Sequence, residues 1–244
     1  LTNVLGTKNI ADLSVKYGVQ RFIMVSTDKA VNPTNIMGAS KRIAEIYVQS
    51  LFLKLVKENE HCTKFITTRF GNVLGSNGSV VPYFKKQIAQ GGPITVTHPD
   101  IIRYFMTIPE ASSLVLEAAT LGNGGEIFVF DMGQPVKISD LAKNMIRLAG
   151  YVPGKDIEIV YTGLRPGEKL YEELLNQKEL TIPTTNEKIL VAKVREYDFD
   201  EVSASIEQLI RSAQEGKVFP TVQLMKEIVP EYKSKNSIYE QLDK

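Results

Sequence analysis

A short polar segment follows an unbroken apolar run and carries the side chains best suited to proton transfer. Residues 22–25 are apolar throughout, and Ser26, Thr27, Asp28 and Lys29 come directly after them. Such a run is typical of a strand buried on both faces of a parallel sheet, and ligands of these sheets bind beyond the carboxyl ends of the strands. The segment therefore predicts a hydroxyl, a carboxyl and an amine at a reactive edge. A solvated turn with ordinary surface charges would give the same four residues.

A second lysine follows at a helical position. Lys41 lies twelve residues after Lys29, and Met37 precedes Lys41 by four residues. Side chains four apart lie on one face of a helix. The spacing predicts that Met37 and Lys41 face the same way at the start of the helix that follows the polar segment.

Helical and strand patterns alternate along the chain and would position these groups. Helices are predicted over residues 1–17, 36–59, 80–90, 109–121, 139–149 and 200–214. Strands are predicted over residues 21–26, 64–70, 94–97, 101–106, 126–131, 157–161 and 189–194. Ser139 is the expected cap of its helix, and a charged tail follows residue 214. The alternation is typical of an α/β protein with a mainly parallel sheet.

The composition excludes several classes of protein. The chain has 244 residues, of which 43% are hydrophobic and 23% charged, with a net charge of +1. These values fit an ordinary globular protein and exclude disordered, collagen-like and disulfide-scaffold classes. The near-zero charge gives no reason to expect a nucleic-acid partner. No apolar run approaches the roughly 18 residues that span a membrane, and no signal peptide is visible.

Several ordered strings together indicate a family. They occupy residues 25–29, 32–35, 37–41, 69–76, 103–106 and 164–169. They resemble the active-site and substrate segments of extended short-chain dehydrogenases/reductases that modify nucleotide sugars. They are most similar to the UDP-N-acetylglucosamine 4,6-dehydratases of the CapD-type polysaccharide-biosynthesis family. The resemblance covers roughly residues 3–175.

The resemblance implies a Rossmann-like sheet and an internal redox cycle. NAD or NADP would oxidise sugar C4, water would leave across C5 and C6, and the hydride would return to C6. Lys29 takes the role of the C5 base, and Asp28 that of the proton donor to the C6 hydroxyl. Both groups would then work in the protonation state opposite to that in water. Thr27 would bond the substrate near O4, and Lys41 the nicotinamide ribose.

The sequence departs from the general reductase pattern at Met37. That pattern has a tyrosine there, whereas a thioether is only a weak acceptor and cannot shuttle a proton. Methionine at this place is a familiar variant of the membrane-anchored dehydratase branch. Our hypothesis is that an ionised Asp28 takes the O4 proton. Met37 could also simply fill the core.

The resemblance also assigns binding roles. The positions expected to contact the cofactor are Ser26, Lys41, Arg69 and Asn72. The positions expected to contact the UDP-sugar are Asn72, Val80, Pro82, Lys85, Arg103, Arg165 and Glu168. Asn72 and the arginines Arg103 and Arg165 suit the diphosphate, because guanidinium groups bind phosphate oxygens bidentately. Surface ion pairs are the alternative interpretation for each arginine.

Other residues are given structural interpretations. His61 and His98 lack metal-ligand spacing, so no metal is expected. Cys62, the single cysteine, is interpreted as an inert thiol that fits a reducing compartment. Residues 171–173 are predicted to form a helix surface. Gly71, Gly75 and Gly78 do not match G-x-G-x-x-G, and that dinucleotide fingerprint occurs nowhere in the chain.

The missing fingerprint leads to a prediction about organisation. Residues 1–75 are expected to be the C-terminal part of a Rossmann-like domain, truncated at its N-terminus. Residues 76–244 are expected to form a smaller α/β substrate-binding lobe interleaved with the last Rossmann elements. The chain is then the C-terminal part of a cytoplasmic protein, which a missing N-terminal region could anchor to the inner face of the cell membrane. Alone it should turn over little substrate, and its exposed sheet edge should favour homo-oligomers.

Two other functions share much of this evidence. A nucleotide-sugar 4-epimerase would have the same fold, but it needs a proton shuttle at position 37 and has no use for a C5 base. A non-catalytic nucleotide-sugar binding module would keep the phosphate contacts alone.

Overall fold

The computed structural model describes residues 1–58, 63–173 and 180–243. Within these ranges the helices are α1 Leu5–Lys16, α2 Ile36–Lys57, α3 Val80–Ala89, α4 Ile108–Leu121, α5 Ile138–Leu148, α6 Phe199–Gln214 and α7 Val218–Ile228. The strands are β1 Arg21–Thr27, β2 Lys64–Phe70, β3 Asn72–Val73, β4 Ile94–Val96, β5 Ile102–Arg103, β6 Phe105–Met106, β7 Ile127–Phe130, β8 Val136–Lys137, β9 Ile159–Tyr161, β10 Leu180–Pro183 and β11 Ile189–Lys193.

The central sheet confirms the predicted fold class. Its strand order is β1-β2-β7-β11-β10. β1, β2 and β7 are parallel, while β11 is antiparallel to both of its neighbours, so four of the five strands run the same way. In the register of β1 on β2, Thr27 lies opposite Phe70. The carboxyl ends of these two strands therefore meet at one edge of the sheet, and β1 forms the outer edge of the described sheet.

Separate hydrophobic cores hold the layers together. On one face of the sheet α2 packs with α6 and α7, around the fully buried Ile43, Ile46 and Ile206. Near the middle strands, α4 contributes Leu114 to a second core. A third core joins α3 and α5 to the short strands β4 and β9, with Phe84 at its centre. The third core supports one wall of the candidate site.

Several predicted elements differ in detail. The helix α5 begins at Ile138 with Lys137 as its N-cap, so the prediction of Ser139 as the cap is wrong; its hydroxyl donates instead to the carbonyl of Pro99 at 3.0 Å. The predicted strand over residues 101–106 is two short strands in separate sheets, β5 pairing with β8 and β6 with β3. The two strands diverge because Tyr104 between them belongs to neither.

The predicted charged tail contains a helix that the sequence analysis missed. α7 buries Val222 and Met225 against the core that α2 and α6 share. The remaining predicted elements agree with the structure to within a few residues at their ends. The last residue of the predicted 36–59 helix lies outside the described residues. No helix in the described part of the chain has the length and apolar character that crossing a bilayer requires.

Candidate active site

The polar segment after β1 forms a tight turn whose side chains bond to one another. Residues 28–30 make a 3-10 turn, and Thr27 caps it by accepting a hydrogen bond from the backbone N–H of Lys29. The Thr27 hydroxyl donates to Asp28 Oδ1 at 2.8 Å, and Lys29 Nζ donates to the same oxygen at 2.9 Å. Lys29 Nζ also donates to Asn72 Oδ1 at 3.0 Å. The parallel register therefore brings a side chain from beyond β2 onto the amine beyond β1.

Asp28 is buried and not a surface charge. Its side chain is completely shielded from solvent, and Oδ2 has no hydrogen-bond partner among the described residues. Gly71 packs so closely that a Cβ there would lie 3.2 Å from Oδ2. Because the Asp28 carboxyl is shielded from water, the solvated-turn interpretation is wrong. A buried carboxylate oxygen without a donor is costly. The amine of Lys29, whose side chain is 23% exposed, is the part of this pair that reaches toward the surface.

The N-terminus of α2 presses on the same turn. Asn35 caps the helix by accepting from the backbone N–H of Gly38 at 2.8 Å. A Cβ on Gly38 would overlap the carbonyl oxygen of Lys29, so only glycine allows this close approach. One turn further on, Lys41 Nζ donates to the carbonyl of Val25 at 3.2 Å. Lys41 therefore stands near the carboxyl end of β1.

Met37 lies beside the site and not in the core. It is 45% exposed, which contradicts its interpretation as a core filler. It contributes to a surface cavity of about 340 Å³ together with Asn35, Pro166 and Tyr232.

A second cavity, also of about 340 Å³, adjoins Asn72. Five of the predicted substrate residues line it, namely Asn72, Val80, Arg103, Arg165 and Glu168. We call it the phosphate cavity, after the ligand that the resemblance predicts for it. Its other lining residues are Gly78, Ser79, Tyr83, Phe84, Thr95, Val96, Thr97, Ile101 and Ile138. The predicted residues Pro82 and Lys85 lie outside it on α3, and Lys85 borders a separate apolar hollow with Ile88 and Leu148.

Arg103 is held at the back of the phosphate cavity. Its Nη1 donates to the carbonyls of Ile102 at 2.7 Å and Leu170 at 3.3 Å. Its Nη2 lies 3.5 Å from Glu168 Oε1 and 3.7 Å from Glu172 Oε1. Two backbone carbonyls thus fix Nη1 of the guanidinium, and the carboxylates of Glu168 and Glu172 offset its positive charge. The surface-ion-pair alternative is wrong for Arg103, because the side chain is buried.

Glu172 is a residue of the site that the sequence analysis missed. The prediction of a helix surface over residues 171–173 is wrong, since no helix forms there and Glu172 is buried. Burial raises the pKa of the Glu172 carboxyl, and the positive charges of Lys29 and Arg103 only partly oppose that rise. The sequence Tyr171, Glu172, Glu173 contains no pattern that predicts the burial of Glu172.

Arg69 has a different place from the one expected for a cofactor contact. Its guanidinium is buried and bonds the carboxylate of Glu45, with Nε 2.9 Å from Oε1 and Nη2 2.6 Å from Oε2. Arg42 approaches Glu45 Oε2 at 3.0 Å. Burial alone would raise the pKa of Glu45, but the charges of Arg69 and Arg42 outweigh it and hold that pKa below its ordinary value. Ser26, another expected cofactor contact, is also buried. Both side chains are buried inside the protein, which does not fit a direct contact with a cofactor.

The segment after β9 ties the phosphate cavity to the turn beyond β1. The carbonyl of Gly167 accepts from the Thr34 hydroxyl at 2.7 Å and from the Asn35 amide at 3.0 Å. Lys169 Nζ donates to the carbonyl of Val31 at 3.0 Å. Two strings far apart in the sequence therefore form one bonded unit.

The metal-ligand candidates add nothing to the site. His98 Nδ1 accepts from the backbone N–H of Asp100 at 3.1 Å, as in an ordinary turn. His61 and Cys62 lie outside the described residues. Among the residues that the structure does describe, no group of three histidine, cysteine or acidic side chains could hold a metal ion.

Comparison with known proteins places these motifs in a wider group. The family model described as polysaccharide biosynthesis protein matches residues 1–194. The capsular polysaccharide biosynthesis protein CapD of Staphylococcus aureus is 56% identical over 88% of this chain and 35% of its own length. The probable polysaccharide biosynthesis protein EpsC of Bacillus subtilis is 53% identical over 84% of this chain and 33% of its own. The chain thus spans about a third of the length of these two relatives.

A solved structure shares the fold. The X-ray structure of Pen from Bacillus thuringiensis superposes with a TM-score of 0.69 at 34% identity. The match covers 78% of this chain and 58% of that chain.

Proposed function

Because the chain belongs to the polysaccharide biosynthesis protein family, we propose that it carries the sugar-reacting and UDP-sugar-binding part of a nucleotide-sugar 4,6-dehydratase. UDP-N-acetylglucosamine is the proposed substrate, and a surface polysaccharide the proposed destination. The observation that carries the proposal is the position of Lys29 Nζ, which lies 2.9 Å from Asp28 Oδ1 and 3.0 Å from Asn72 Oδ1. An amine is thereby aligned between a buried carboxyl and the rim of the phosphate cavity.

The phosphate cavity suits the diphosphate of the substrate. Arg103 and Arg165 supply two guanidinium groups, and Asn72 adds an amide. Guanidinium groups match phosphate oxygens bidentately, and Glu168 can accept from ribose hydroxyls. A cavity of about 340 Å³ is within the range that small-ligand sites occupy. With the diphosphate there, the sugar would extend past Asn72 toward Lys29.

Lys29 is the proposed base at sugar C5. Its amine must be neutral to accept that proton, while Asp28 bonds it through Oδ1 and fixes its direction. Thr27 donates to the same carboxylate oxygen, so the three side chains form one hydrogen-bonded unit. Because Asp28 is fully buried, we propose that protons reach the sugar from Asp28 through Lys29 and Thr27, and not by direct contact. This revises the sequence-based hypothesis that Asp28 itself meets the C6 hydroxyl.

The proposed cofactor is NAD or NADP, and one side chain of this chain fits it. Lys41 stands at the carboxyl end of β1, where its ammonium can donate to ribose hydroxyls. The bound cofactor would take the hydride from sugar C4 and return it at C6. Among the residues that the structure describes, no side chain takes over the binding of the cofactor pyrophosphate from the G-x-G-x-x-G segment. We therefore propose that the functional protein is longer, as CapD and EpsC are, with residues 1–75 completing a Rossmann-like domain and residues 76–244 forming the substrate lobe.

Calorimetry with UDP-N-acetylglucosamine tests the substrate proposal on this chain. We expect saturable binding, and Arg165→Ala should weaken it about tenfold or more, because hydrogen bonds to charged groups contribute about 1.5–3 kcal/mol. Arg147→Ala is the matched control, since Arg147 is an exposed arginine on α5 that bonds Asn144. An absence of binding, or equal losses in the two variants, would contradict the proposal.

Met37 argues against the epimerase alternative. Its thioether is a weak acceptor with no proton to give, whereas an epimerase must move the O4 proton back and forth from this position. Product analysis with the complete protein separates the two reactions. A dehydratase yields a 4-keto-6-deoxy sugar with loss of water, and an epimerase yields the C4 epimer.

A further inference from the structure

We propose that Glu172 is a positioning residue that gains a proton when a diphosphate engages Arg103, so that the carboxyl buried behind Arg103 is neutral while the cavity is occupied. The inference rests on the proposed function, because it takes the occupant of the phosphate cavity to be a nucleoside diphosphate sugar. It assigns Glu172 a part in substrate binding, through Arg103, without any contact with the substrate.

The geometry places Glu172 behind the phosphate cavity. Glu172 is buried and lies outside the residues that line the cavity. Its Oε1 is 3.7 Å from Arg103 Nη2, while the same nitrogen is 3.5 Å from Glu168 Oε1. The other terminal nitrogen of Arg103 is held by two backbone carbonyls. Arg103 therefore lies between the cavity and Glu172, and the carboxylates of Glu168 and Glu172 share its Nη2.

The charges that act on Glu172 come from several elements. Lys29 and Asp28 act from the turn after β1, Arg103 from β5, and Lys169 from the segment of Glu172 itself. Burial is the largest influence and raises the pKa of the Glu172 carboxyl above its ordinary value. Arg103 and Lys29 are the two strongest influences that favour its charged form. A change in either one will therefore shift the protonation of Glu172.

Substrate binding changes one of these two influences. A diphosphate beside Arg103 compensates the guanidinium charge, so Arg103 stabilises the Glu172 carboxylate less. The pKa of Glu172 then rises further, and the carboxylate takes up a proton from the solution. No other bond is made or broken in this step.

Proton-linked calorimetry tests the inference on the 244-residue chain. UDP-N-acetylglucosamine is the probe, because its two phosphates stay singly ionised across the range used, from about pH 5.5 to 8. Titrations in buffers of different ionisation enthalpy count the protons taken up on binding. We expect uptake in the unmodified chain, with affinity falling as pH rises, by about tenfold for each unit by which binding raises the pKa of Glu172.

Three variants isolate the carboxyl. Glu172→Gln should abolish the proton uptake and the pH dependence of the affinity, while Glu172→Asp should retain part of both. Glu173→Gln is the matched control, because the Glu173 carboxylate is more exposed and bonds Asn32 and Lys169 instead. It should behave as the unmodified chain does. Circular dichroism checks that each variant folds.

The outcomes separate this inference from the proposed function. Binding without proton uptake in the unmodified chain overturns the role of Glu172 and leaves the diphosphate site standing. Uptake that persists in Glu172→Gln overturns it as well, because another group must then carry the proton. If the probe does not bind at all, the proposed function fails and this inference fails with it. Should Glu172→Gln not fold, the comparison of Glu172→Asp and Glu173→Gln with the unmodified chain decides.

Discussion

The contact between α2 and the turn after β1 makes Gly38 a sharp test of the site's construction. Gly38 lies in the first turn of α2, and an added Cβ would overlap the carbonyl oxygen of Lys29. The same Cβ would lie 3.0 Å from the carbonyl carbon of Lys29 and 3.3 Å from the Pro33 side chain. Two of these three neighbours are backbone atoms, so no rotamer change can relieve the overlap. Gly38→Ala must push the helix and the turn over residues 28–30 apart.

The expected cost follows from two opposing effects. Alanine is favoured over glycine within a helix by up to about 1 kcal/mol. Overpacking a well-packed interior costs typically about 1–3 kcal/mol, and a clash with backbone belongs at the upper end of that range. The net loss of stability is therefore about 2 kcal/mol. In a chain of this size that lowers the Tm by about 4–8 °C.

Gly6→Ala is the matched control for Gly38→Ala. Gly6 lies in the first turn of α1, and a Cβ there meets nothing within 4 Å. The same substitution should therefore raise the Tm by about 1–3 °C, since only the helix propensity changes. Thermal unfolding followed by circular dichroism measures both variants. If Gly38→Ala were as stable as the unmodified chain, the close packing of α2 on the Lys29 carbonyl would be refuted.

Two further predictions concern the surroundings of the site. Glu45→Gln should cost about 3–5 kcal/mol at neutral pH, because it removes the buried carboxylate that offsets the charges of Arg42 and Arg69. The native pKa of Glu45 is depressed, so its stabilisation is present above the ordinary pKa and is lost as pH falls through the native one. Urea unfolding should show the gap between the two proteins closing in acid, and a gap independent of pH would contradict this. Asn35→Ala and Asp198→Ala each remove a helix N-cap and should each cost about 1 kcal/mol, but only Asn35→Ala should also weaken UDP-N-acetylglucosamine binding in calorimetry.

The layered fold could be predicted because its signals are local. The apolar run before Ser26 identifies a buried strand, and the alternation of helix and strand patterns identifies the sheet class. The short strands β5 and β6 could not be separated, since their partners β8 and β3 lie elsewhere in the chain. The helix α7 did carry a signal: Val218, Val222 and Met225 recur at helical spacing, but the surrounding charges favoured a tail.

The roles of individual charged residues depended on partners far away in the sequence. Arg69 lies in β2 and Arg103 in β5, and both residues belong to sequence segments that resemble the family. Only the structure shows that Arg69 meets Glu45 inside the core while Arg103 lines the phosphate cavity. Asn72 and Arg165, which the resemblance assigned to the same ligand, line one cavity. The resemblance gave no indication of Glu172, whose burial arises from tertiary packing.

The segment over residues 165–173 joins the two halves of the proposed reaction. Arg165 and Glu168 line the phosphate cavity. Gly167 and Lys169, between and after them, bond the loop that follows the turn over residues 28–30. A Cβ on Gly167 would lie 2.5 Å from that of Asn35, so the two loops are in tight contact. Packed interiors transmit small shifts because they deform little. A ligand that draws Arg165 and Glu168 inward must therefore act on the loop that also positions Lys29, and two motifs more than a hundred residues apart work as one structural unit.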